Sequence, residues 1–541
     1  MTQNNDKDWW RGGLIYQVYP RSFLDTHQDG IGDISGITDR LDYIAKLGVD
    51  MVWISPFFPS PMKDFGYDVS DYKNVDPMFG NIDDFVALID KANCLGLKVM
   101  IDLVLSHTSD QHQWFRESRA SKDNPKSDWY VWVDPMEDGR PPNNWLSIFG
   151  GGAWEWDTTR RQFYMHNFLT SQPDLNFHNP EVVDAVMDVI EFWLRLGVHG
   201  FRMDTVNWYF HDEMLRDNPP NEGPDLLPYA PPSSNYVMQE HIYNKTRPEI
   251  LGFLERVRGL LDKYDAISLG ELTAKKANEL MPIYTEKDKR LNMVYTFAML
   301  TDDYGADHFR RVIKKVERHM NDGWVCWAFS NHDVMRAVSR WKHDNVPLNQ
   351  QAKFLMALLL SLRGSVCMYQ GEELGLPEVN IAFEDLQDPY GIRFWPEFKG
   401  RDGCRTPMPW HMSMPNGGFS NVKPWLPIPM THLEKAVDVQ ETDRNSVLNF
   451  TREMIAWRKK MPAMVKGSMT LLNDEGDILA FERELDGQKI LCVFNTNEKT
   501  LEFDCGTYEC VNPIALTGFY YSYKDDVLSL PGYSVFFAEV N

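Results

Sequence analysis

The segment 200–207, GFRMDTVN, carries an arginine and an aspartate at a spacing that could do chemistry. It reads as a short buried strand that runs into a loop. Because side chains alternate along a strand, Arg202 and Asp204 share one face. A guanidinium next to a carboxylate keeps that carboxylate ionised and able to act as a nucleophile. A purely structural Arg–Asp pair is the alternative, since ion-pair networks also bury charges.

Two further acidic residues, Glu271 and Asp333, also stand at the ends of predicted strands. In a parallel barrel the carboxyl ends of all strands surface on one rim, which predicts that Asp204, Glu271 and Asp333 meet there. Glycoside hydrolysis needs two carboxyl groups, and a third anion can stabilise positive charge at the reacting carbon. His107 and His332 lie near the same rim; for each, a hydrogen-bonded core histidine is the alternative.

Strands and helices alternate along most of the chain, which predicts an α/β fold with a parallel sheet and right-handed crossovers. Together with the Gly200 strand, eight strands give a (β/α)8 TIM barrel. Ser35 is expected to cap the first helix. The other predicted strands are Leu14–Pro20, Met51–Pro56, Lys98–Leu105, Ala266–Glu271, Met293–Phe297, Val325–Asp333 and Ser365–Glu373. Clear helical patterns cover Ser35–Val49, Ile82–Leu95, Val182–Leu196 and Val447–Lys460.

The barrel pattern is interrupted twice before it ends. Residues 107–176 are rich in Trp, Asn, Asp, Gly and Pro, which predicts a small inserted domain after the third strand. Residues 209–244 form a second irregular insertion, expected to lie as a lid over the same barrel end. The barrel then comprises residues 1–106 and 177–463. The short alternating runs of residues 464–541 predict a C-terminal antiparallel β-sandwich domain.

Composition argues against several classes of partner. The net charge of -23 disfavours binding to nucleic acid or to an anionic membrane, and no apolar run is long enough to span a bilayer. The 7 cysteines lack CxxC spacing, which indicates reduced thiols and a cytoplasmic protein. The first residues, MTQNNDKDWWRGG, show no signal-peptide pattern. The 18 tryptophans suit a sugar-binding cleft, although an aromatic-rich core would have the same composition.

Five short motifs stand at spacings that carry a resemblance. They are DLVLSH (102–107), QPDLN (172–176), GFRMD (200–204), GE (270–271) and SNHD (330–333). Together they resemble the α-amylase superfamily of glycoside hydrolases, and within it the oligo-1,6-glucosidase and α-glucosidase group. The resemblance covers essentially the whole chain. Singly, a motif as short as GE or NHD carries almost no weight.

The resemblance implies roles for the three acidic residues. Asp204 would attack the anomeric carbon and form a covalent glucosyl intermediate. Glu271 would protonate the leaving oxygen and then activate water or an acceptor hydroxyl, while Asp333 would hold ring hydroxyls. A retaining enzyme of this kind has the carboxyl groups of Asp204 and Glu271 about 5 to 5.5 Å apart. The sugar-binding residues that the resemblance implies are Asp64, Tyr67, His107, Phe149, Phe168, Arg202, Thr205, His332 and Arg401.

Some of these residues imply a closed pocket. Tyr67 would stack on the terminal glucose, and Asp64 with Arg401 would close the pocket end. A closed end admits only the non-reducing end of a substrate and therefore implies exo action on short glucosides. Phe149 and Phe168 would wall the pocket, although as aromatic residues they could equally belong to a core.

Thr205 bears on which linkage is cleaved. Relatives that prefer α-1,6 bonds usually have valine at this position, so threonine favours an α-1,4-preferring α-glucosidase. Such a change of side chain is worth only about 1 to 3 kcal/mol. Transfer of glucose to acceptors other than water is also open to a retaining enzyme. The alternatives are an oligo-1,6-glucosidase, a sucrose hydrolase or isomerase, and a non-catalytic binding or transporter-partner subunit.

Oxygen donors recur at every second residue of the loop 25–33, a spacing that wraps a hard cation such as Ca²⁺ or Mg²⁺. It is not a full EF-hand, because Gly36 stands at the twelfth position. Similar loops in the resembling group bind calcium structurally, and no organic cofactor is expected. A solvated acidic turn is the alternative. The candidate ligands are carboxylates of Asp25, Asp29 and Asp33 and backbone carbonyls of His27 and Ile31.

Overall fold

The computed structural model describes residues 8–222, 234–286, 289–320 and 322–541. The strands are numbered along the chain. An eight-stranded parallel sheet contains, in order across the sheet, β10 (Cys326–Trp327), β11 (Ser365–Tyr369), β1 (Leu14–Val18), β2 (Met51–Ile54), β3 (Lys98–Leu103), β7 (Gly200–Met203), β8 (Ile267–Leu272) and β9 (Met293–Thr296). A parallel bridge between Val294 and Val325 joins its two edges, so the sheet closes into the predicted barrel.

Apolar residues of alternate strand positions fill the barrel interior. Trp53, Met100, Leu269 and Tyr295 belong to one buried cluster inside it. A larger cluster lies between the barrel and its surrounding helices. The strands are therefore apolar on both faces, as expected for a parallel sheet covered by helices. A charged side chain on the inner face, such as Arg202, is an exception that requires partners.

Most helices surround the barrel and follow its strands, whereas α4 lies within the inserted region 107–176. They are α1 (Ile34–Asp39), α2 (Leu41–Leu47), α3 (Ile82–Cys94), α4 (Gln113–Ala120), α5 (Pro180–Arg195), α6 (Ile250–Leu261), α7 (Ala277–Tyr284), α8 (Ala306–His319), α9 (Ala337–Arg340), α10 (Leu348–Ser361), α11 (Pro389–Phe394), α12 (Met430–Leu433), α13 (Val437–Thr442), α14 (Val447–Lys460) and α15 (Pro462–Lys466). The boundaries predicted for α14 agree with the structure.

Two predicted elements are wrong in detail. The single helix predicted over Ser35–Val49 divides into α1 and α2 at Arg40, and its N-cap is Asp33, whose Oδ1 accepts a 2.7 Å hydrogen bond from Gly36 N. The strand predicted over Val325–Asp333 is shorter: it forms a ladder at Cys326–Trp327, preceded by the single bridge of Val325. Beyond it Asn331 Oδ1 accepts from Asp333 N at 2.8 Å, which turns the chain out of the sheet.

A small antiparallel sheet lies within residues 107–176. Its order is β4-β6-β5, with β4 (Trp132–Val133), β5 (Trp154–Asp157) and β6 (Gln162–Met165). The described part of the second insertion contacts this region, because Asn144 N donates to Asp217 Oδ1 at 3.0 Å and Trp145 Nε1 donates to Arg216 O at 2.9 Å. Residues 223–233 of the predicted lid lie outside the described residues.

Two antiparallel sheets follow the barrel and pack on each other, as predicted. Their shared core includes Leu491, Val493, Leu528 and Phe536. No helix in the described ranges is long and apolar enough to cross a membrane. The five-stranded sheet contains β12 (Ser468–Leu471), β13 (Ile478–Leu485), β14 (Gln488–Asn495), β19 (Val535–Val540) and β16 (Val511–Ile514), in that order. The three-stranded sheet contains β15 (Leu501–Asp504), β18 (Val527–Leu530) and β17 (Ser522–Lys524).

Candidate active site

Asp204, Glu271 and Asp333 line one cavity at the carboxyl end of the barrel. Glu271 belongs to β8, while Asp204 and Asp333 follow β7 and β10. The cavity contains about 680 Å³ of empty space, part of which is open to solvent. Three acids that are distant in sequence therefore meet at one hollow. The complete lining is Asp64, Tyr67, His107, Ile148, Phe149, Phe168, Asp204, Thr205, Trp208, Glu271, Thr273, Phe297, Asp333, Tyr390 and Arg401.

Arg202 lies beneath this hollow with no exposed surface. Its Nη1 is 2.9 Å from Asp102 Oδ1 and 2.5 Å from Asp204 Oδ1. Its Nη2 is 2.8 Å from Glu271 Oε2 and donates to Tyr295 Oη at 2.9 Å. One guanidinium thus holds two of the three cavity acids. Because both Nη atoms face carboxylates, the guanidinium stays charged and fixes the positions of Asp204 and Glu271 relative to each other.

The two acids that share Arg202 have different pKa values. Burial raises the pKa of Glu271 to about 8, with the charges of Asp204 and Asp333 adding to the rise and Arg202 opposing it. Burial also raises the pKa of Asp204, but only to about 6, because Arg202 opposes this rise both through its charge and through a direct hydrogen bond. At pH 7 Glu271 therefore carries its proton while Asp204 is mostly ionised. A pair of carboxyl groups whose pKa values are separated in this way can divide acid and nucleophile roles.

The third acid, Asp333, lies in a strongly positive environment. Its Oδ1 is 3.2 Å from Arg401 Nη1 and 2.9 Å from Arg405 Nη2. Burial by itself would raise the pKa of Asp333, but His332, Arg401 and Arg405 hold it below its usual range. Burial lowers the pKa of His332 to about 3, so at neutral pH the two arginines supply the positive charge. Asp333 is therefore a permanent anion at the cavity wall.

Arg401 closes one end of the cavity. It is 2.8 Å from Asp64 Oδ1 through Nη2, and the same nitrogen is 2.8 Å from Asp388 Oδ1. Gln172 Nε2 donates to the other oxygen of Asp64 at 3.0 Å. These contacts join the loop after β2, the inserted domain and the segment after α11 into one wall. The end wall predicted from Asp64 and Arg401 is brought together, with Asp388 as an additional partner.

Tyr67 and His107 line the cavity, whereas His332 is fully buried and reaches the site through its contact with Tyr67. Tyr67 Oη is 2.5 Å from His332 Nε2 and donates to Asp102 Oδ2 at 3.1 Å. The rings of Tyr67 and His332 stack with an interplanar angle of 4°. His107 Nε2 is 2.8 Å from the backbone oxygen of Tyr67. Each histidine is thus a neutral, hydrogen-bonded group held against the pocket.

The inserted domain contributes the apolar wall. Phe149 and Phe168 line the cavity with ring centroids 6.2 Å apart. The guanidinium carbon of Arg401 lies 5.6 Å from the Phe149 ring centroid, and the ring centroids of His107 and Phe168 are 5.0 Å apart. Both phenylalanines therefore pack directly against polar residues of the pocket.

Several site residues were not predicted from the sequence. Asp102 and Gln172 stand inside motifs that were recognised, so the signal for them was present. Asp388 and Arg405 lie in an irregular stretch without a pattern that could have singled them out. The other unpredicted members of the lining are Ile148, Trp208, Thr273, Phe297 and Tyr390.

The predicted cation loop lies apart from this cavity and turns its carboxylates on its own backbone. Asp25 Oδ1 accepts from Gln28 N at 2.6 Å, and Asp25 Oδ2 accepts from Gly30 N at 2.8 Å. Asp33 Oδ2 accepts from Thr26 N at 2.7 Å. Among the residues that the structure describes, no three acidic, His or Cys side chains form a group that could hold a metal ion. The candidate ligands also include the backbone oxygens of His27 and Ile31, so cation binding by this loop stays a prediction.

Two family models match the chain over nearly its whole length. The alpha amylase catalytic domain matches residues 17–467, and the maltogenic amylase C-terminal domain matches residues 469–536. The chain belongs to the alpha-amylase family. The resemblance inferred from the motifs, and the prediction of a glycoside hydrolase, are therefore confirmed. The three acids of this alpha-amylase family member stand on the barrel rim where active sites of TIM barrels form.

Named relatives narrow the group further. A probable alpha-glucosidase of Rhizobium meliloti (strain 1021) is 53% identical, over 99% of this chain and 98% of that protein. An oligo-1,6-glucosidase of Heyndrickxia coagulans is 36% identical, over 92% and 94%. The solved structure of an alpha-glucosyl transfer enzyme, XgtA, has a TM-score of 0.96 at 52% identity and covers 98% of this chain and 99% of that one. A trehalulose synthase, MutB, has a TM-score of 0.89 at 32% identity, over 98% of this chain and 100% of that one.

Proposed function

We propose that the protein is an exo-acting, retaining α-glucosidase that releases glucose from the non-reducing end of short α-glucosides. The observation that carries this proposal is a cavity closed at one end by Arg401 and Asp64, with two carboxyl groups of different pKa at its floor. A closed end leaves room for one terminal sugar. Two carboxyl groups bridged by one guanidinium favour the short separation that retention needs.

In the proposed first step, an oxygen of Asp204 bonds to the anomeric carbon while the bond from that carbon to the leaving oxygen breaks. Glu271 gives its proton to the leaving oxygen. Oε2 of Glu271 accepts from two donors that carry no lone pair, Arg202 Nη2 at 2.8 Å and Thr205 N at 3.1 Å. Oε1 faces a hydroxyl, Tyr295 Oη at 3.2 Å, which can also accept, so the proton belongs on Oε1. The permanent negative charge of Asp333 stabilises the positive charge that develops on the sugar.

In the proposed second step, the ionised Glu271 takes a proton from water or from an acceptor hydroxyl. The oxygen of that molecule bonds to the anomeric carbon, and the ester bond to Asp204 breaks. Two inversions give net retention. Transfer to an acceptor other than water uses the same step, and a relative named as an alpha-glucosyl transfer enzyme supports including it.

We propose a preference for α-1,4 bonds, supported by Thr205, which lines the cavity next to Asp204. Oligo-1,6-glucosidase and sucrose isomerase activities are the alternatives, since relatives carry the names oligo-1,6-glucosidase and trehalulose synthase. Product analysis on maltose, isomaltose and sucrose tests all three. We expect maltose to be cleaved fastest, with glucose released first in the α configuration. Faster cleavage of isomaltose, or conversion of sucrose to an isomer, would reject the preference, and initial β-glucose would reject retention.

The pH dependence of kcat/KM should reflect the pKa values of Asp204 and Glu271. We expect kcat/KM to fall below about pH 6, where Asp204 gains a proton, and above about pH 8, where Glu271 loses one. The optimum then lies near neutrality. Initial rates on a nitrophenyl α-glucoside from pH 4 to 10 measure both limbs. In Glu271→Gln, which cannot ionise, the alkaline limb should disappear while the acid limb stays, and an unchanged alkaline limb would contradict the assignment.

Calcium binding by the loop 25–33 stays a prediction of the sequence. No step of the proposed reaction uses it. Thermal melting with added Ca²⁺ and with a chelator tests it, and equal midpoints would leave a hydrogen-bonded acidic turn as the description of the loop.

A further inference from the structure

Thr205 adopts a backbone conformation that β-branched residues rarely take. Its φ is 40°, in the left-handed region where the side chain meets its own backbone. Such strain persists only where the surrounding contacts enforce it, and it concentrates at functional sites. The contacts here involve both acids that share Arg202. The Thr205 N–H donates to Glu271 Oε2 at 3.1 Å, and the Thr205 hydroxyl donates to Asp204 Oδ2 at 3.2 Å.

The Thr205 hydroxyl has two neighbours, and its single proton must go to one of them. Ser106 Oγ is 3.3 Å from Thr205 Oγ1 and 2.9 Å from His107 Nδ1. His107 Nε2 lies 2.8 Å from the backbone oxygen of Tyr67, which can only accept. Gln172 Nε2 is 3.2 Å from the same ring nitrogen, but its two hydrogens have acceptors in Asp64 Oδ2 at 3.0 Å and Tyr67 O at 3.3 Å, so His107 Nε2 carries its own hydrogen. Burial lowers the pKa of His107 to about 4, so at neutral pH its Nδ1 is an acceptor.

The proton of Ser106 is therefore committed to His107 Nδ1, and Ser106 Oγ can only accept from Thr205. The choice for the Thr205 proton lies between this neutral oxygen and the ionised carboxylate of Asp204. Hydrogen bonds to an ionised acceptor are about twice as strong as neutral ones, so the proton goes to Asp204 Oδ2. Arg202 holds the other oxygen, Oδ1, at 2.5 Å. Both oxygens of Asp204 are then fixed, and with them the plane of its carboxylate.

We propose that Thr205 is a positioning residue of the reaction: its hydroxyl orients and keeps ionised the carboxylate of Asp204, and its strained backbone ties that carboxylate to Glu271. This role rests on the proposed function, in which Asp204 is the nucleophile. It differs from any effect of Thr205 on linkage, because it depends on the hydroxyl and not on the size of the side chain.

Thr205→Val tests the role of the hydroxyl, since valine keeps the branched shape and loses the oxygen. We expect kcat/KM on a nitrophenyl α-glucoside to fall about 10- to 100-fold, the loss typical of a hydrogen bond to a charged group. The acid limb of the pH profile should move to higher pH, because the ionised form of Asp204 loses a donor. Thr205→Ser should restore both the rate and the limb. Thr38→Val, the same change on α1 where the hydroxyl bonds Ile34 O, should alter neither.

Two outcomes would overturn the proposal. An acid limb that does not move in Thr205→Val would show that the hydroxyl does not act on Asp204. A Thr205→Ser variant as slow as Thr205→Val would show that the methyl group and not the hydroxyl matters. If Thr205→Val does not fold, as judged by circular dichroism, Thr205→Ala removes the same hydroxyl and gives the same readouts.

A trapping experiment separates this proposal from the proposed function. Wild-type protein is treated with 5-fluoro-α-glucosyl fluoride, and the labelled peptide is identified by mass spectrometry. A glucosyl group on a residue other than Asp204 defeats the proposed function, whatever the Thr205 variants do. A glucosyl group on Asp204 together with an unmoved acid limb defeats only the role of Thr205.

Discussion

Replacing Asp204 by glycine should lower the hydrolysis of a nitrophenyl α-glucoside by roughly 10⁴- to 10⁶-fold, the range seen when a catalytic nucleophile is removed. Glycine has no group that can bond to the anomeric carbon, so the covalent route is lost. The fold should survive, since Asp204 lies after β7 and the chain there is held by Asp204 N donating to Leu103 O at 2.9 Å. Initial rates and a circular dichroism spectrum measure the two parts of this expectation.

Azide distinguishes a nucleophile from an acid. In Asp204→Gly, azide can occupy the space of the missing carboxylate, attack the anomeric carbon directly and give β-glucosyl azide with restored turnover. In Glu271→Ala, Asp204 still forms the glucosyl ester, and azide then displaces it to give α-glucosyl azide. Proton NMR of the isolated product reads the configuration. The reverse pattern would exchange the two roles, and α-glucosyl azide from both variants would remove Asp204 from the covalent step.

Most of the barrel can be predicted from the sequence, because the patterns that define its strands and helices lie within short stretches of chain. Strand–helix alternation and buried apolar runs define most elements, and the predicted α14 agrees with the structure at both ends. The failures are also local. A helical pattern over Ser35–Val49 does not show that the chain turns at Arg40, and an apolar run after Val325 does not show that Asn331 bends it away from the sheet.

The site is predictable in part, for a different reason. Strand ends in a parallel barrel share a rim, so Asp204, Glu271 and Asp333 could be placed together without coordinates. Asp388 and Arg405 could not, because their contacts with Arg401 and Asp333 form across irregular chain whose path has no periodic signal. The pairing of Asp64 with Arg401 at the closed end of the pocket was predicted from the resemblance to the family, because the spacing of these residues alone does not indicate it.

The loop 25–33 shows the limit of composition as a guide to metal binding. Alternating oxygen donors are equally suited to a cation and to a turn closed by Asx-type hydrogen bonds. In the structure Asp25 and Asp33 accept from backbone N–H groups, and calcium binding by the loop stays a prediction. Sequence cannot separate the two, because the same atoms serve both.

Replacing Arg202 by methionine should inactivate the protein and also destabilise it, in a way that depends on pH. Methionine fills a similar volume without charge, so Asp102, Asp204 and Glu271 lose the cation that they share. Removing one partner of a buried ion pair costs about 3 to 5 kcal/mol, because the remaining charge is buried without compensation.

The pH dependence follows from the direction of the pKa shifts. In the folded wild-type protein the pKa of Asp204 is already raised to about 6 and that of Glu271 to about 8, both through burial and both against the opposing effect of Arg202. Without the guanidinium these pKa values rise further above their unfolded values of about 4. A raised folded-state pKa leaves stability intact below the unfolded pKa and removes it as pH rises through the folded pKa. The deficit of the variant should therefore be larger at pH 8 than at pH 5.

Arg458→Met is the matched control for this experiment. Arg458 is as deeply buried, but its guanidinium donates to the backbone oxygens of Leu360 at 2.6 Å and Gly364 at 3.1 Å. Burial lowers the pKa of Arg458 to about 10, so it stays charged from pH 5 to 8. Its loss should lower the melting temperature equally at both pH values and leave the pH profile of activity in place.

Arg202→Lys should remain impaired, since one ammonium cannot reach the partners of both Nη1 and Nη2. Equal deficits at pH 5 and pH 8 in Arg202→Met would mean that the three acids do not depend on this guanidinium for their charge. The division of roles between Asp204 and Glu271 would then lose its electrostatic basis.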